Sequence, residues 1–453
     1  MVRGIPRRGF LQSSFAVAAS TLLPRVRVPR ARRPNILFIL ADDLGYGDLS
    51  CYGRPDYRTP HLDRLAREGL RFTSNYTAAA VCTPTRVALM TGRYPARLPI
   101  GLVEPLAYGD DSVGLPPEHP TPASLLKRAG YDTALIGKWH LGYLPEYGPI
   151  RHGFDEFYGI LSGAVDYFSH RVPSGKLDLH EGNVTVNQAG YMTDLLTDRA
   201  VQYVRRRHPA PFYLALHYTA PHWPWEGPGD TAASRMYRTV ADTVKDRFVK
   251  GYADGGSRRI FAAMMQRLDQ GVGRLLRALE DAGQSRDTFV VFTSDNGGER
   301  YSYNWPASDG KTSLHEGGIR VPAIVRWPGR VPAGRTADQS VITMDWTATM
   351  LGVAGAASDP DYPFDGVDLT RLCLGEPAQF DRALFWRTQA QDAARRGRWK
   401  YLRIEDDEML FDIPNDPGER SDLDIYQPPA LTSLREEFRQ WNTRMLPRPA
   451  PNN

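Results

Sequence analysis

The 453-residue chain predicts an α/β protein: one large, mostly parallel sheet flanked by helices, followed by a small antiparallel-sheet subdomain at the C-terminal end. Three observations carry this. First, runs at 35–41, 131–137, 211–220 and 288–294 are mainly apolar without alternation, as strands covered on both faces of a parallel sheet must be. Second, segments with helical character lie between them, at 60–68, 122–129, 191–206 and 258–282, and suit crossover connections. Third, from about Pro377 the pattern changes to short strand-like runs at 383–387, 399–404 and 409–412, with a closing helix near 431–445. The expected organisation is a leader at 1–31, a main domain at 32–376 and a small subdomain at 377–453.

The leader contains Arg7-Arg8-Gly9-Phe10-Leu11 ahead of a weakly apolar, small-residue stretch, and it resembles a twin-arginine export signal. Residues 1–33 carry eight arginines and neither lysine nor acid, so the formal charge of +4 becomes −4 without them. A nucleic-acid partner thereby loses its compositional support. No stretch approaches the ~20 uninterrupted apolar residues of a membrane span, which argues against a membrane-embedded protein. Cys51, Cys82 and Cys373 are too few and too far apart to form a zinc motif or a disulfide scaffold, and Cys51 and Cys373 read as small buried hydrophobes.

The Asn35–Ala41 run ends in Asp42-Asp43, and the Thr288–Ser294 run ends in Asp295-Asn296-Gly297-Gly298. Ligands of doubly wound sheets sit at the carboxyl ends of the strands, so these two oxygen-rich ends can share one hard cation. Ca²⁺ is expected before Mg²⁺, since nothing in the donor set demands strict octahedral geometry. Val81-Cys82-Thr83-Pro84-Thr85-Arg86 reads as a helix start, with Thr83 as cap and Pro84 in the first turn. Free N–H groups at such a start, with Arg86 beside them, favour an anion.

Two further strand ends carry ionisable groups. Lys138 and His140 follow the 131–137 run two residues apart, a spacing that puts both on one face of an extended segment. His222 follows the 211–220 run, and Lys311 lies in the glycine-rich loop Asp309-Gly310-Lys311-Thr312 that leads to Glu316-Gly317-Gly318. His315 and Glu316 read as structural.

Cys82-Thr83-Pro84-Thr85-Arg86 with Thr91-Gly92-Arg93 resembles the signature of the type I sulfatases, whose commonest form has serine at the place of Thr85. The strand-end motifs and the segment from Lys311 to Pro322 extend the resemblance over nearly the whole chain after the leader. It implies an alkaline phosphatase-like fold and hydrolysis of a sulfate monoester by a formylglycine made from Cys82. On that resemblance Asp42, Asp43, Asp295 and Asn296 hold the metal with the modified Cys82. Arg86 holds the nucleophile, Lys138 and Lys311 bind sulfate oxygens, His140 serves as base, and His222 assists the leaving oxygen. Ser162 is a further candidate contact. The implied partners are a sulfated small molecule or glycan and a formylglycine-generating maturation enzyme, and the implied location is periplasmic or extracellular. A phosphate or phosphonate monoester hydrolase of the same superfold and a sulfated-glycan-binding pseudoenzyme are the alternatives. The aromatic side chains Trp139, Tyr143, Tyr147, Trp223, Trp225, Tyr301, Tyr303 and Trp305 flank these motifs, and a terminal sulfated sugar stacked on some of them is the expected substrate.

Overall fold

The computed structural model describes residues 33–231 and 256–449, together with Met1, Gly4 and Ser234. The expected leader, Met1 and Gly4 apart, therefore lies outside the described residues, and the body of the protein begins at Arg33.

Non-alternating apolar strands need cover on both faces, and the sheet provides it. Ten strands run in the order 335–337, 70–72, 323–326, 288–294, 35–41, 212–217, 132–138, 156–160, 180–181 and 184–185. The five from 288–294 to 156–160 are parallel to one another. Along the Asn35–Ala41 strand Leu37, Ile39 and Ala41 enter one apolar layer, with the helices Pro60–Arg67, Met192–Arg205 and Arg258–Asp281. Ile36, Phe38 and Leu40 enter the other, with Cys82–Thr91, Pro122–Arg128 and Thr343–Ala354. Burying such side chains contributes about 1.5–3 kcal/mol each, so the central strands are held rigid. The expected strands and crossover helices all form.

The C-terminal sheet has four antiparallel strands where three were expected: Leu384–Arg387, Gln391–Arg396, Trp399–Ile404 and Asp407–Asp412. Gln391-Asp392-Ala393-Ala394-Arg395-Arg396 has weak strand propensity, yet it is an inner strand. Asp392 on it is paired with Arg403 and Arg448, and Ala393 and Ala394 fit a core where bulkier residues would not. The closing helix is Pro428–Asn442, earlier than expected because prolines suit its first turn. Its Leu434, Phe438 and Trp441 pack with Tyr76, Ala88 and Tyr94, so this subdomain backs the helix that carries Cys82. Among the described residues no helix is long and apolar enough to cross a membrane.

Candidate active site

Cys82 is the first residue of the Cys82–Thr91 helix, with the extended Val81 ahead of it. The expected cap at Thr83 does not form, because its hydroxyl is committed elsewhere. Thr83 Oγ1 accepts the Leu106 N–H at 3.0 Å and lies 3.4 Å from His140 Nδ1. Pro84 falls in the first turn even so, where its missing N–H costs nothing. Thr85 Oγ1 accepts the Ala79 N–H at 3.1 Å and donates to the Ala79 carbonyl at 3.0 Å, a task that any hydroxyl at this position performs. Gly92 ends the helix in the left-handed conformation (φ 67°), with its N–H on the Ala88 carbonyl.

Strand ends bring the remaining groups to this helix. Lys138 Nζ lies 2.7 Å from Asp42 Oδ2, and Lys311 Nζ lies 2.7 Å from Asp43 Oδ2. Arg86 Nε donates to Asp295 Oδ2 at 3.0 Å, and its NH1 donates to the Lys138 carbonyl at 2.8 Å. Asn296 Nδ2 donates to Asp43 Oδ1 at 2.7 Å. His222 Nε2 is 3.2 Å from Lys311 Nζ and 3.5 Å from Asp43 Oδ2. Except for Lys311, which is slightly exposed, all of these residues and Cys82 are buried.

Such burial is expensive for charge, and the groups respond accordingly. Burial, reinforced by Asp295, raises the Asp42 carboxyl well above the usual carboxylate range, against Lys138 and Arg86. Burial acts on Asp43 in the same direction, but Lys311, His222 and Lys138 outweigh it and hold that carboxyl below its ordinary value. Burial raises the Cys82 thiol, with Lys138 and Lys311 opposing. Burial drives His140 and His222 well below ordinary histidine values, so both rings are neutral at rest. Lys311 is held charged against burial, chiefly by Asp43.

The hydrogen bonds assign the tautomers. His140 Nε2 faces the Leu106 carbonyl at 3.0 Å and His222 Nδ1 faces the Trp223 carbonyl at 2.5 Å, so these nitrogens carry the protons. The lone pairs then lie on His140 Nδ1, toward Thr83, and on His222 Nε2, toward Lys311.

Two buried oxygens in this cluster have no donor, Asp42 Oδ1 and Asn296 Oδ1. Asp42, Asp43 and His222 offer ligand atoms within 4.8 Å of one another. Hard oxygen donors with free lone pairs suit a divalent cation, so the residues present fit one. His222 was not expected in that group, and its Nε2 is turned to Lys311 as well.

The residues expected to hold the metal and do the chemistry are joined to one another through hydrogen bonds, ion pairs or helix position, whereas the further candidate Ser162 is not. Ser162 is buried, and its hydroxyl donates to the Ala164 carbonyl at 3.2 Å. Sequence reasoning missed His217, whose Nδ1 is 3.2 Å from the Lys138 carbonyl and 3.5 Å from Arg86 NH1. Its signal was the one that flagged Lys138, an ionisable residue closing an apolar strand. Thr83 was read only as a cap. Of the expected aromatic platform, Trp139 and Trp225 are buried at 1% and 4% exposure and serve packing, whereas Trp305 is 57% exposed.

The Sulfatase family model matches residues 34–356, and the model described as N-sulphoglucosamine sulphohydrolase, C-terminal, matches 308–445. The fold and these matches define a hydrolase of sulfate esters, and the chain belongs to the sulfatase family. N-acetylgalactosamine-6-sulfatase of Canis lupus familiaris is 34% identical over 392 residues, which cover 81% of this chain and 71% of that protein. Arylsulfatase A of Homo sapiens is 34% identical over 451 residues, 90% of this chain and 82% of its own. The crystal structure of Ps i-CgsB in complex with k-i-k-neocarrahexaose aligns with a TM-score of 0.82 at 32% identity, over 92% of this chain and 94% of that one.

Proposed function

We propose that this sulfatase removes sulfate from a sulfated carbohydrate, using a formylglycine made from Cys82 and a divalent cation held by Asp42, Asp43, Asp295 and Asn296. The observation that carries the proposal is the convergence of two lysines and an arginine on Asp42, Asp43 and Asp295 at neighbouring strand ends, with donorless oxygens on Asp42 and Asn296 and with Cys82 near enough to feel both lysines, Asp42 and Asp295. Formylglycine at position 82 would supply, as its hydrate, one hydroxyl as a nucleophile toward sulfur and a second able to release sulfate. The cation, Ca²⁺ before Mg²⁺, would supply positive charge for the anionic sulfate group.

The chain's own residues do the rest. Lys138 and Lys311 bind sulfate oxygens as fixed cations, and a buried cation is worth far more there than in water. Arg86 keeps its charge next to position 82 because Asp295, then Asp42, offset the burial that opposes it. The charge developing on the leaving oxygen is met by the Lys311 ammonium, which the His222 Nε2 lone pair 3.2 Å away orients. His140, neutral at rest, takes a proton at Nδ1 when sulfate is expelled, with the Thr83 hydroxyl next to it. A sugar substrate is supported by the exposed Trp305 on the loop between Asn296 and Lys311, and by the neocarrahexaose bound to Ps i-CgsB. Arg7-Arg8 supports export by the twin-arginine route, with the maturation enzyme acting on Cys82 before folding buries it.

The mass of the proteolytic peptide containing Cys82, from active protein made in its own host, tests this reading. A formylglycine mass is expected. A free thiol throughout fully active protein would overturn the mechanism.

A further inference from the structure

Behind His222, reached through Tyr167, lie two buried carboxyl groups. Asp166 and Glu226 are fully buried, and among the described residues neither forms an ion pair. Asp166 Oδ1 accepts the N–H groups of Phe168 at 3.0 Å and Ser169 at 2.6 Å, and Glu226 Oε2 accepts the Tyr167 N–H at 2.8 Å. Asp166 Oδ2 and Glu226 Oε1 are left without a donor, on side chains that are hydrogen-bond neighbours. Two such groups cannot both ionise in a dry site, and one proton between them satisfies both oxygens.

The pair is wired to the active site through Tyr167, whose hydroxyl lies 2.9 Å from the carbonyls of both His222 and Thr219. Tyr191 braces the arrangement, donating its hydroxyl to the Glu226 carbonyl at 2.7 Å and stacking on Tyr167 at 5.3 Å and 25°. We propose that Asp166 and Glu226 share a single proton and act as positioning residues that hold His222 through Tyr167, so that losing the proton at alkaline pH loosens the leaving-group machinery. This rests on the role given to His222 above.

The surroundings favour retention of the proton. Burial, then the charge of Asp166, pushes Glu226 up to about 9, and Asp230 adds in the same direction. His170, near Asp166, is kept below its ordinary value by burial and supplies no cation. Tyr167 and Tyr191 stay protonated, pushed up by burial, and Asp194 and Arg267 lie beyond Tyr191. Because the folded chain holds a proton that the unfolded chain releases near 4.5, this contribution to stability is full below that pH and gone above about 9.

Infrared spectroscopy, thermal unfolding and the pH profile of kcat on an aryl sulfate test the pair in the full chain. The wild-type minus Glu226→Gln difference spectrum should show a protonated-carboxyl C=O band at neutral pH that disappears above pH 9, while the raised carboxyls common to both proteins, among them Asp42 and Asp269, cancel. The variant's amide can donate to Asp166 and accept from Tyr167 without titrating. Its melting temperature should fall less between pH 5 and 9, and its kcat should decline less on the alkaline side. Tyr167→Phe should keep the band but lower kcat about tenfold at nearly unchanged KM. Absence of that difference band, or identical alkaline limbs in the Glu226→Gln variant and wild type, would overturn the proposal. The band and the melting curves do not depend on sulfate hydrolysis, so an inactive protein with the expected band would count against the proposed function and not against the pair.

Discussion

Lys400 Nζ, on the C-terminal sheet, lies 3.1 Å from Glu316 Oε1, a few residues beyond Lys311. Both side chains are fully buried, and Lys400 also reaches Glu419 Oε1 at 2.7 Å. The Tyr76 hydroxyl donates to Glu316 Oε2 at 2.6 Å. The small sheet is thus locked by charge to the segment that presents Lys311. Lys400→Met should cost about 3 kcal/mol, because it takes the nearest cation from two buried carboxylates and leaves Glu316 with the more distant Arg320 and Arg395 at 3.6 and 3.7 Å, and should lower kcat/KM by disturbing Lys311. Arg371→Ala, which removes an exposed partner of Glu376, should stay within about 0.5 kcal/mol. Thermal unfolding of both variants checks the contrast; equal effects would show that the buried cluster does not join sheet to loop.

Much of this site was legible because its chemistry interrupts apolar strands. Asp42, Lys138 and Asp295 stand where a hydrophobic run stops, and nothing in a core tolerates them there without partners. The Lys400–Glu316–Glu419 cluster and the Asp166–Glu226 pair were not legible. Glu316 lies 84 positions from Lys400 and Asp166 lies 60 from Glu226, and burial alone distinguishes these groups from solvated charges. The helix start was misplaced for a similar reason: a Thr-Pro pair signals a cap locally, but the Thr83 hydroxyl answers to Leu106 and His140, which the local pattern cannot show.

Cys82→Ala should abolish sulfate hydrolysis with a loss of stability no larger than about 1–2 kcal/mol, since only a small buried group is removed. Cys82→Ser should react at most once, because serine lacks the second hydroxyl that expels sulfate. Mass spectrometry should find a stable sulfate ester on Ser at that position. Sustained turnover by the serine variant would contradict the diol mechanism.

Asn296→Ala removes a buried oxygen that has no donor and leaves the Arg86–Asp295 pair intact. Bound metal, measured by elemental analysis after dialysis, should fall below one equivalent, with activity restored in part by added Ca²⁺. Full metal content at unchanged affinity would remove Asn296 from the ligand set.

Asp269, buried on the Arg258–Asp281 helix, accepts the N–H groups of His61 and Leu62 at the start of another helix. Burial nevertheless raises its carboxyl from 3.8 to about 6, the backbone donors opposing. The folded protein then holds a proton that the unfolded chain has lost, so stability falls as pH rises from about 4 to 6, by at most about 3 kcal/mol. Asp269→Asn cannot titrate. Its melting temperature should gain on wild type as pH goes from 4 to 7, and a constant difference across that range would refute the assignment.

Trp305 offers the sharpest test of a sugar substrate. It is 57% exposed, lies nearly parallel to Tyr303 with centroids 6.3 Å apart at 22°, and belongs to the loop bounded by Asn296 and Lys311. Trp139, by contrast, packs on His152 at 5.0 Å and donates its Nε1–H to the Tyr147 carbonyl, so it cannot turn to a substrate. An exposed ring that already has one neighbour to orient it is suited to the flat face of a sugar, at the about 0.5–1.5 kcal/mol of an aromatic pair. Trp305→Ala should therefore lower kcat/KM for a sulfated oligosaccharide roughly 2- to 13-fold while leaving a chromogenic aryl sulfate unchanged within about twofold. A panel of sulfated mono- and oligosaccharides beside the aryl ester measures both quantities in wild type and variant. If wild type prefers the aryl ester by more than ~100-fold, about 2.7 kcal/mol in transition-state stabilisation, or if Trp305→Ala weakens both substrates alike, carbohydrate stacking at this ring is excluded.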